Sequence, residues 1–143
     1  MSTTSKRRAV LFLCTGNSCR SQIAEGYAHA LKAETLNAYS AGIVAHGQNP
    51  LAIKVMAEEG IDITTQQSKT LQSLLDAGVT FDVVYTVCGH ADENCPVFPG
   101  TTTVIHRGFD DPPKLAEGAA TEEEALNHYR RVRNQIHAWI QTL

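Results

Sequence analysis

The fold of this chain is decided by residues 9–21, which read AVLFLCTGNSCRS. The first five residues are continuously apolar, which is typical of a parallel β-strand that is buried on both faces. Residues 15–18 have the composition of a loop, and a helical pattern begins near Arg20. A strand, a tight loop and a helix in this order predict an α/β protein whose ligand site lies at the carboxyl end of the first strand.

Three further runs predict the remaining strands, at residues 38–43, 81–87 and 102–105. Strands that alternate with helices form parallel sheets through right-handed crossovers, and the helices cover both faces. We therefore predict a three-layer α/β fold. The 143 residues, 1–143, fit one domain, because a domain usually holds about 100–200 residues.

Helical patterns separate these strands and end the chain. Pro50 suits the first turn of the second helix, and Thr121 with Glu124 resembles a capping box at the start of the last one. The positions predicted to face the core are Ile23, Ala24, Tyr27, Ala30 and Leu31 in the first helix, Ile53, Met56 and Ala57 in the second, and Tyr129, Val132, Ile136, Ile140 and Leu143 in the last.

Composition and charge exclude several classes of protein. Apolar residues make up 43% of the chain and charged residues 19%, which is ordinary for a folded globular protein. The formal net charge of −3 argues against a nucleic acid or a membrane surface as partner. The apolar run at residues 9–13 is shorter than the roughly 7–15 residues of a secretion signal. We expect a cytoplasmic protein, by default a monomer.

Four cysteines, Cys14, Cys19, Cys88 and Cys95, are the most reactive side chains in the sequence. In a cytoplasmic protein they start as thiols, which favours catalysis or metal binding over a structural disulfide. Their spacing differs from the tight cysteine pairs of a zinc knuckle, so we expect no metal site. Buried thiols without a catalytic role are the structural alternative for Cys88 and Cys95.

The loop that starts at Cys14 has the composition of an oxyanion site. Its backbone N–H groups can point inward, the following helix N-terminus adds positive potential, and Arg20 offers a planar fork to two oxygens. The amides, Arg20 and the Ser21 hydroxyl would favour the Cys14 thiolate, and we expect Cys14 to be largely ionised at neutral pH. The predicted oxyanion-binding residues are Thr15, Gly16, Asn17, Ser18, Cys19 and Arg20.

A thiolate below an oxyanion can attack either a phosphate monoester or arsenate, and the loop alone does not distinguish them. Reduction of As(V) to As(III) needs further thiols, which Cys88 and Cys95 supply. Cys88 can attack the arsenic-bearing sulfur of Cys14, expel arsenite and form a disulfide. Cys95 can then attack Cys88 and free Cys14, by the usual route of thiol–disulfide exchange.

An acid and two histidines complete the set of candidate residues. Asp111 precedes Pro112 and can donate a proton to the departing oxygen, although a simple Asp-Pro turn is the alternative. His46 and His106 are interpreted as surface or packing residues.

Four stretches carry a resemblance to a known family: VLFLCTGNSCRSQIAEG, YSAGIVAHGQNP, DVVYTVCGHADENCP and GFDDPP. They resemble the arsenate reductases built on the low-molecular-weight protein tyrosine phosphatase fold, and most of all the thioredoxin-coupled branch. The resemblance implies a four-stranded parallel sheet, arsenate as substrate, no cofactor, and thioredoxin as reductant, with glutaredoxin as the alternative. The roles it implies are nucleophile for Cys14, oxyanion clamp for Arg20, resolving thiols for Cys88 and Cys95, acid for Asp111, thiolate support for Ser21 and loop support for Asn17.

The chain departs from this family at two positions. Some members bind potassium at the positions of Asn17, Glu25, Ser40 and residue 69, where those members have an acidic residue and this chain has Lys69. Because of this departure, the ammonium group can fill the cation's place and pair with Glu25, so we expect no potassium dependence. Arg107 stands where an aromatic residue is common.

Two other functions remain open at this point. A low-molecular-weight tyrosine phosphatase would use the same loop without the second and third thiols. A thiol switch or phosphocarrier would need neither an oxyanion clamp nor an acid, so Arg20 and Asp111 argue against it.

Overall fold

The computed structural model describes residues 7–88, 98 and 102–143, so Cys95 lies outside the described residues. The described strands form one four-stranded parallel sheet in the order β2-β1-β3-β4, which confirms the predicted fold class. The strands are β1 (Arg8–Cys14), β2 (Leu36–Gly42), β3 (Val83–Thr86) and β4 (Thr103–His106).

Five helices are described, and the two shortest were not predicted. Helices of six and five residues are too short to show a helical period, so α3 and α4 have no sequence signal of this kind. The helices are α1 (Arg20–Leu31), α2 (Pro50–Ala57), α3 (Leu71–Asp76), α4 (Pro112–Ala116) and α5 (Glu122–Ile140). None of these helices is both long enough and apolar enough to cross a membrane.

Strand β1 supplies both halves of the core. Val10 and Phe12 point to one side and pack with α1, α2 and α5, whereas Leu11 and Leu13 point to the other side and pack near α3. Side chains of a strand alternate between its faces, so burial on both faces requires the continuous apolar run seen in the sequence. This double burial fixes the end of β1, and therefore Cys14, at the carboxyl edge of the sheet.

Some predicted core positions are wrong. Ala30 and Leu31 are exposed, because the buried part of α1 ends at Ala28. In α2 the buried residues are Ala52, Val55 and Met56, so Ala57 lies on the exposed side and Ile53 is half-buried. Helix α2 has only eight residues, and so few positions leave the direction of its buried face poorly defined.

The predicted capping box of the last helix is present in a shifted form. The Thr121 hydroxyl accepts the N–H of Glu124 at 3.2 Å, as expected. The Glu124 carboxylate accepts the N–H of Ala120 at 2.9 Å, one residue before the cap. The apolar stripe behind this cap is buried at Tyr129, Val132, Ile136 and Ile140, as predicted, and Leu143 is half-buried.

An ion network joins α5 to the end of α2. Arg130 contacts the Glu58 carboxylate at 2.7 Å and Arg133 contacts it at 2.8 Å. The hydrogen bonds from Arg130 and then from Arg133 outweigh partial burial and lower the pKa of Glu58 from 4.5 to about 2. Arg133 also donates to the Val55 carbonyl at 2.9 Å, so the network ties both helices on one face of the sheet.

This network predicts a pH-dependent part of the stability. Because the folded pKa of Glu58 lies below its ordinary value, its contribution is present above about pH 4.5 and is lost as the pH falls towards 2. Glu58→Gln should lower Tm at pH 7 by about 3 °C, and the gap to the wild type should close between pH 5 and about pH 2. Thermal unfolding at several pH values measures this gap. Exposed Glu117→Gln is the control, and an equal gap for both variants at pH 7 would contradict the prediction.

Candidate active site

A cavity of about 310 Å³ opens above the loop between β1 and α1. Cys14, Arg20 and Asp111 all line it, although Asp111 is more than 90 residues away from the loop in the sequence. His46 and Pro113 lie on its rim. The structure therefore brings the candidate nucleophile, oxyanion clamp and acid into one cavity at the carboxyl edge of the sheet.

Asn17 holds the loop in shape from inside the protein. Its φ of +48° lies in the left-handed region, which asparagine tolerates better than most residues. Its side-chain oxygen accepts the N–H of Lys69 at 2.9 Å, and its amide nitrogen donates to Ser21 Oγ at 3.0 Å and to Ser40 Oγ at 2.9 Å. Both ends of the buried side chain are thus used to fix the loop.

Glycines allow the neighbouring segments to pack against this loop. A Cβ at Gly42, the last residue of β2, would lie 2.7 Å from the Asn17 nitrogen, so a side chain there would push the loop away. A Cβ at Gly16 would lie 2.4 Å from His46 Nδ1. His46 was interpreted as a surface or packing residue, and it is exposed and packs on Gly16, but it also lines the cavity.

The guanidinium of Arg20 is held between the cavity and the loop that carries Asp111. Nη1 donates to the Phe109 carbonyl at 2.8 Å, and Nη2 lies 3.7 Å from Asp111 Oδ1. Nε is buried and has no hydrogen-bond partner among the residues that the structure describes. A buried donor without a partner is costly, so Nε is left with the capacity to donate one further hydrogen bond.

Aromatic packing supports the Phe109 carbonyl. The Phe109 ring lies 5.5 Å from the ring of Trp139, and the Arg107 guanidinium lies 4.3 Å from the centre of the Phe109 ring. Arg107 thus makes a cation–π contact where an aromatic residue is common in the resembling family. This local packing orients the carbonyl that Arg20 uses.

Two thiols meet below the cavity. Cys14 and Cys88 are reduced and buried, and their side chains are hydrogen-bonded to each other. The Thr15 hydroxyl lies 3.2 Å from Cys88 Sγ. The register of the sheet explains this contact. Leu13 of β1 pairs with Thr86 of β3, so both strands end at the same edge of the sheet and the cysteines that follow lie close together.

The comparisons with known proteins agree with this geometry. The family model described as low molecular weight phosphotyrosine protein phosphatase matches residues 9–138. The chain belongs to this family.

Two relatives are close to this chain in sequence. An arsenate reductase of Halalkalibacterium halodurans is 50% identical over 137 residues, which cover 95% of this chain and 94% of that protein. An arsenate reductase of Bacillus subtilis is 47% identical over 131 residues, which cover 92% and 91%.

Solved structures show the same similarity. An arsenate reductase in the oxidized state superimposes with a TM-score of 0.76 at 30% identity, and the match covers 95% of both chains. A tyrosine phosphatase from Erwinia amylovora, at 20% identity and a TM-score of 0.69, shares the fold; that match covers 99% of this chain and 93% of the other.

The expectation that Cys14 is ionised is wrong for this arrangement of the family's loop. The hydrogen bond with Cys88 and then burial raise the pKa of Cys14 well above its ordinary value of 9.0, against the opposing effect of Arg20. The two thiols are in contact and titrate as a pair, in which the first thiolate to form disfavours the second. Burial also raises the pKa of Cys19 to about 12, so Cys19 is a poor nucleophile here.

Ser21 is fully buried one residue after Arg20. Among the described residues, its hydroxyl accepts a hydrogen bond from Asn17 and makes none with Cys14. Because Asn17 donates to the oxygen, the hydroxyl proton of Ser21 is left to donate elsewhere. The support of the Cys14 thiolate by Ser21 therefore stays a prediction.

Lys69 contacts the group with which it was expected to pair. Its ammonium lies 3.8 Å from Glu25 Oε1 and donates to the Gln67 carbonyl at 2.9 Å. The same carboxylate oxygen accepts the Ser40 hydroxyl at 2.5 Å, and Ser40 contacts Asn17. A cationic group is thus joined to the catalytic loop through Glu25 and Ser40. Within the described residues, no three His, Cys, Asp or Glu side chains form a metal-binding group.

The thiol pair predicts how Cys14 reacts when Cys88 is removed. Cys88→Ala deletes the hydrogen bond that contributes most to the raised pKa of Cys14, so the thiolate fraction at pH 8 should increase. Alkylation of Cys14 by iodoacetamide should become at least several-fold faster than in the wild type, as measured by peptide mass mapping over time. Cys19→Ala keeps the pair and serves as control. An unchanged rate at Cys14 in Cys88→Ala would show that Cys88 does not hold the proton.

Proposed function

We propose that this member of the family reduces arsenate to arsenite, and that it serves arsenate detoxification. The observation that carries the proposal is the contact of the Cys88 thiol with Cys14, the thiol that lines the same cavity as Arg20 and Asp111. Hydrolysis of a phosphate ester needs one nucleophile, whereas a two-electron reduction needs a second thiol within reach. The similarity to proteins named arsenate reductase supports the same chemistry.

The first step is attack of the Cys14 sulfur on the arsenic of bound arsenate, and the proton that Cys14 carries in the free site passes to an arsenate oxygen. Arg20 and the loop amides hold the oxygens, and the unpartnered Nε of Arg20 supplies one donor. An S–As bond forms and one As–O bond breaks. The leaving oxygen takes up protons and departs as water, and Asp111 in the cavity wall is the acid that supplies one.

The second step moves electrons from sulfur to arsenic. The Cys88 thiolate attacks the Cys14 sulfur, the S–As bond breaks, and its electron pair stays on arsenic, which leaves as arsenite. Both sulfurs are oxidised to a Cys14–Cys88 disulfide. Thr15, 3.2 Å from Cys88 Sγ, can donate its hydroxyl hydrogen to the attacking thiolate and stabilise it.

The third step frees Cys14 for another cycle. Cys95 attacks Cys88 and forms a Cys88–Cys95 disulfide, which a second protein must reduce. Thioredoxin fits this role, because a disulfide between two protein thiols is reduced most directly by a strongly reducing dithiol. Glutaredoxin is the alternative. A relay that must restart from free thiols fits the reducing cytoplasm.

Phosphatase activity is the second candidate function. The family is described as a phosphotyrosine phosphatase family, and a tetrahedral phosphate has the shape of arsenate. Cys14, Arg20 and Asp111 would suffice for ester cleavage, since Cys88 takes no part in it.

Cys88→Ser separates the two functions. We expect arsenite production to fall at least a hundredfold, because the Cys14–arsenic adduct is left without its resolving thiol, while p-nitrophenyl phosphate hydrolysis persists. Arsenate-dependent NADPH oxidation is measured with thioredoxin and its reductase, and in parallel with glutaredoxin and glutathione. Exposed Glu34→Gln, at the amino-terminal edge of the sheet, is the control and should retain both activities. Unchanged arsenate turnover in Cys88→Ser would exclude the relay.

The Lys69–Glu25 contact predicts that potassium does not activate the enzyme. Because an ammonium already lies 3.8 Å from Glu25, a bound potassium would have to displace it. The KM and kcat for arsenate should agree within about twofold in KCl and in NaCl at equal ionic strength. Activation by KCl alone would refute the prediction, whereas an equal response to both salts would report ionic strength.

A further inference from the structure

Gln22 is a fully buried amide in the first turn of α1, and its hydrogen bonds are saturated. Its Nε2 donates to the main-chain carbonyls of Asn17 and Gln67, each at 3.1 Å. Its Oε1 accepts from Gln48 Nε2 at 3.3 Å and from Gln66 Nε2 at 2.8 Å. A side chain that is 0% exposed and has all four hydrogen-bonding positions filled holds its neighbours in fixed places.

The orientation of this amide is fixed by its partners. Main-chain carbonyls can only accept, so the atom of Gln22 that faces Asn17 and Gln67 must be the nitrogen. Gln66 Nε2 also donates to the Gln22 main-chain carbonyl at 3.0 Å, which identifies this atom of Gln66 as the nitrogen. The side-chain atom of Gln22 that contacts it must therefore be the oxygen. Rotation of the Gln22 amide by half a turn would break all four bonds.

The bond to Asn17 determines where the next peptide points. In a trans peptide the carbonyl and the following N–H point in opposite directions, and no cis peptide is found in the described residues. With the Asn17 carbonyl directed into the interior at Gln22, the N–H of Ser18 points the other way, and Ser18 lines the cavity. A flip of this peptide would turn a carbonyl oxygen towards a bound anion.

We propose that Gln22 is a positioning residue of the oxyanion site. It holds the Asn17 carbonyl away from the cavity and so fixes the Ser18 N–H towards the bound anion. The inference rests on the oxyanion role proposed for the loop, but not on which oxyanion reacts there. Gln22 never touches the anion. Asn17 needs this support because its φ of +48° is a costly backbone conformation for a residue other than glycine, which surrounding contacts must hold in place.

Sulfate is the probe for the test, because it is a tetrahedral dianion at every pH used and is not turned over. Gln22→Met keeps the side-chain length and removes the donor, so its Kd for sulfate should rise about tenfold in titration calorimetry. In arsenate turnover KM should rise by a similar factor, with a smaller change in kcat. Gln66→Met is the matched control: it loses two hydrogen bonds of the same cluster and leaves the Gln22–Asn17 bond in place.

A second variant tests the donor itself and remains informative if Gln22→Met unfolds. In Gln22→Glu an ionised carboxylate faces the Asn17 carbonyl, so sulfate affinity should fall at pH 8 and recover as the pH falls and the introduced carboxyl regains a hydrogen. The wild type is titrated over the same range to correct for Asp111 and His46, which line the cavity. A general loss of packing would not be rescued by acid.

Three results would overturn the proposal. The first is a sulfate Kd for Gln22→Met within twofold of the wild type at an unchanged Tm. The second is an equal loss of affinity in Gln66→Met, which would mean that the glutamine cluster acts only through stability. The third is a loss in Gln22→Glu that does not depend on pH. Failure of arsenate reduction itself would leave sulfate binding intact, so the two proposals fail separately.

Discussion

The site depends on one constraint, the left-handed backbone of Asn17 inside a loop whose outer surface must bind an anion. Every polar atom of the Asn17 side chain is bonded inward, to Lys69, Ser21 and Ser40, and its carbonyl is bonded to Gln22. Leaving any of these buried groups unpaired costs free energy, so the bonds support one another. With the carbonyl and side chain satisfied inside, the loop amides are left for the ligand.

Strong local patterns made the fold predictable. The double-sided burial of β1 requires the apolar run before Cys14, and α5 is long enough for its stripe and its cap at Thr121 to be read from the sequence. Helices α3 and α4 are shorter than two turns and show no such period. The point at which α1 becomes exposed to solvent depends on its packing with other elements and not on its own apolar pattern. The exposure of Leu31 therefore could not be predicted from the sequence.

The site was predictable only where function requires reactive residue types. Cys14, Arg20 and Asp111 stand out as such types beside loop signals, and they share the cavity. Gln22 does not stand out, because a glutamine on a helix usually faces solvent and its partners Gln48 and Gln66 lie 26 and 44 residues away. The ionisation of Cys14 was misjudged for the same reason: the loop's own groups favour the thiolate, and the opposing contact comes from Cys88 on another strand.

The sheet order explains how one loop can serve two chemistries. Strand β3 lies directly beside β1, and the Val87 N–H bonds the Leu13 carbonyl at 2.9 Å, so the residue after Val87 emerges next to Cys14. A single cysteine at that point places a second thiol beside Cys14 without altering the loop between β1 and α1, helix α1 or Arg20. On the phosphatase fold, reduction therefore requires little more than a cysteine at the end of the neighbouring strand and a further thiol to which the disulfide can be passed. The raised pKa of Cys14 is a consequence of the same adjacency, because the neighbouring Cys88 thiol makes the largest contribution to it.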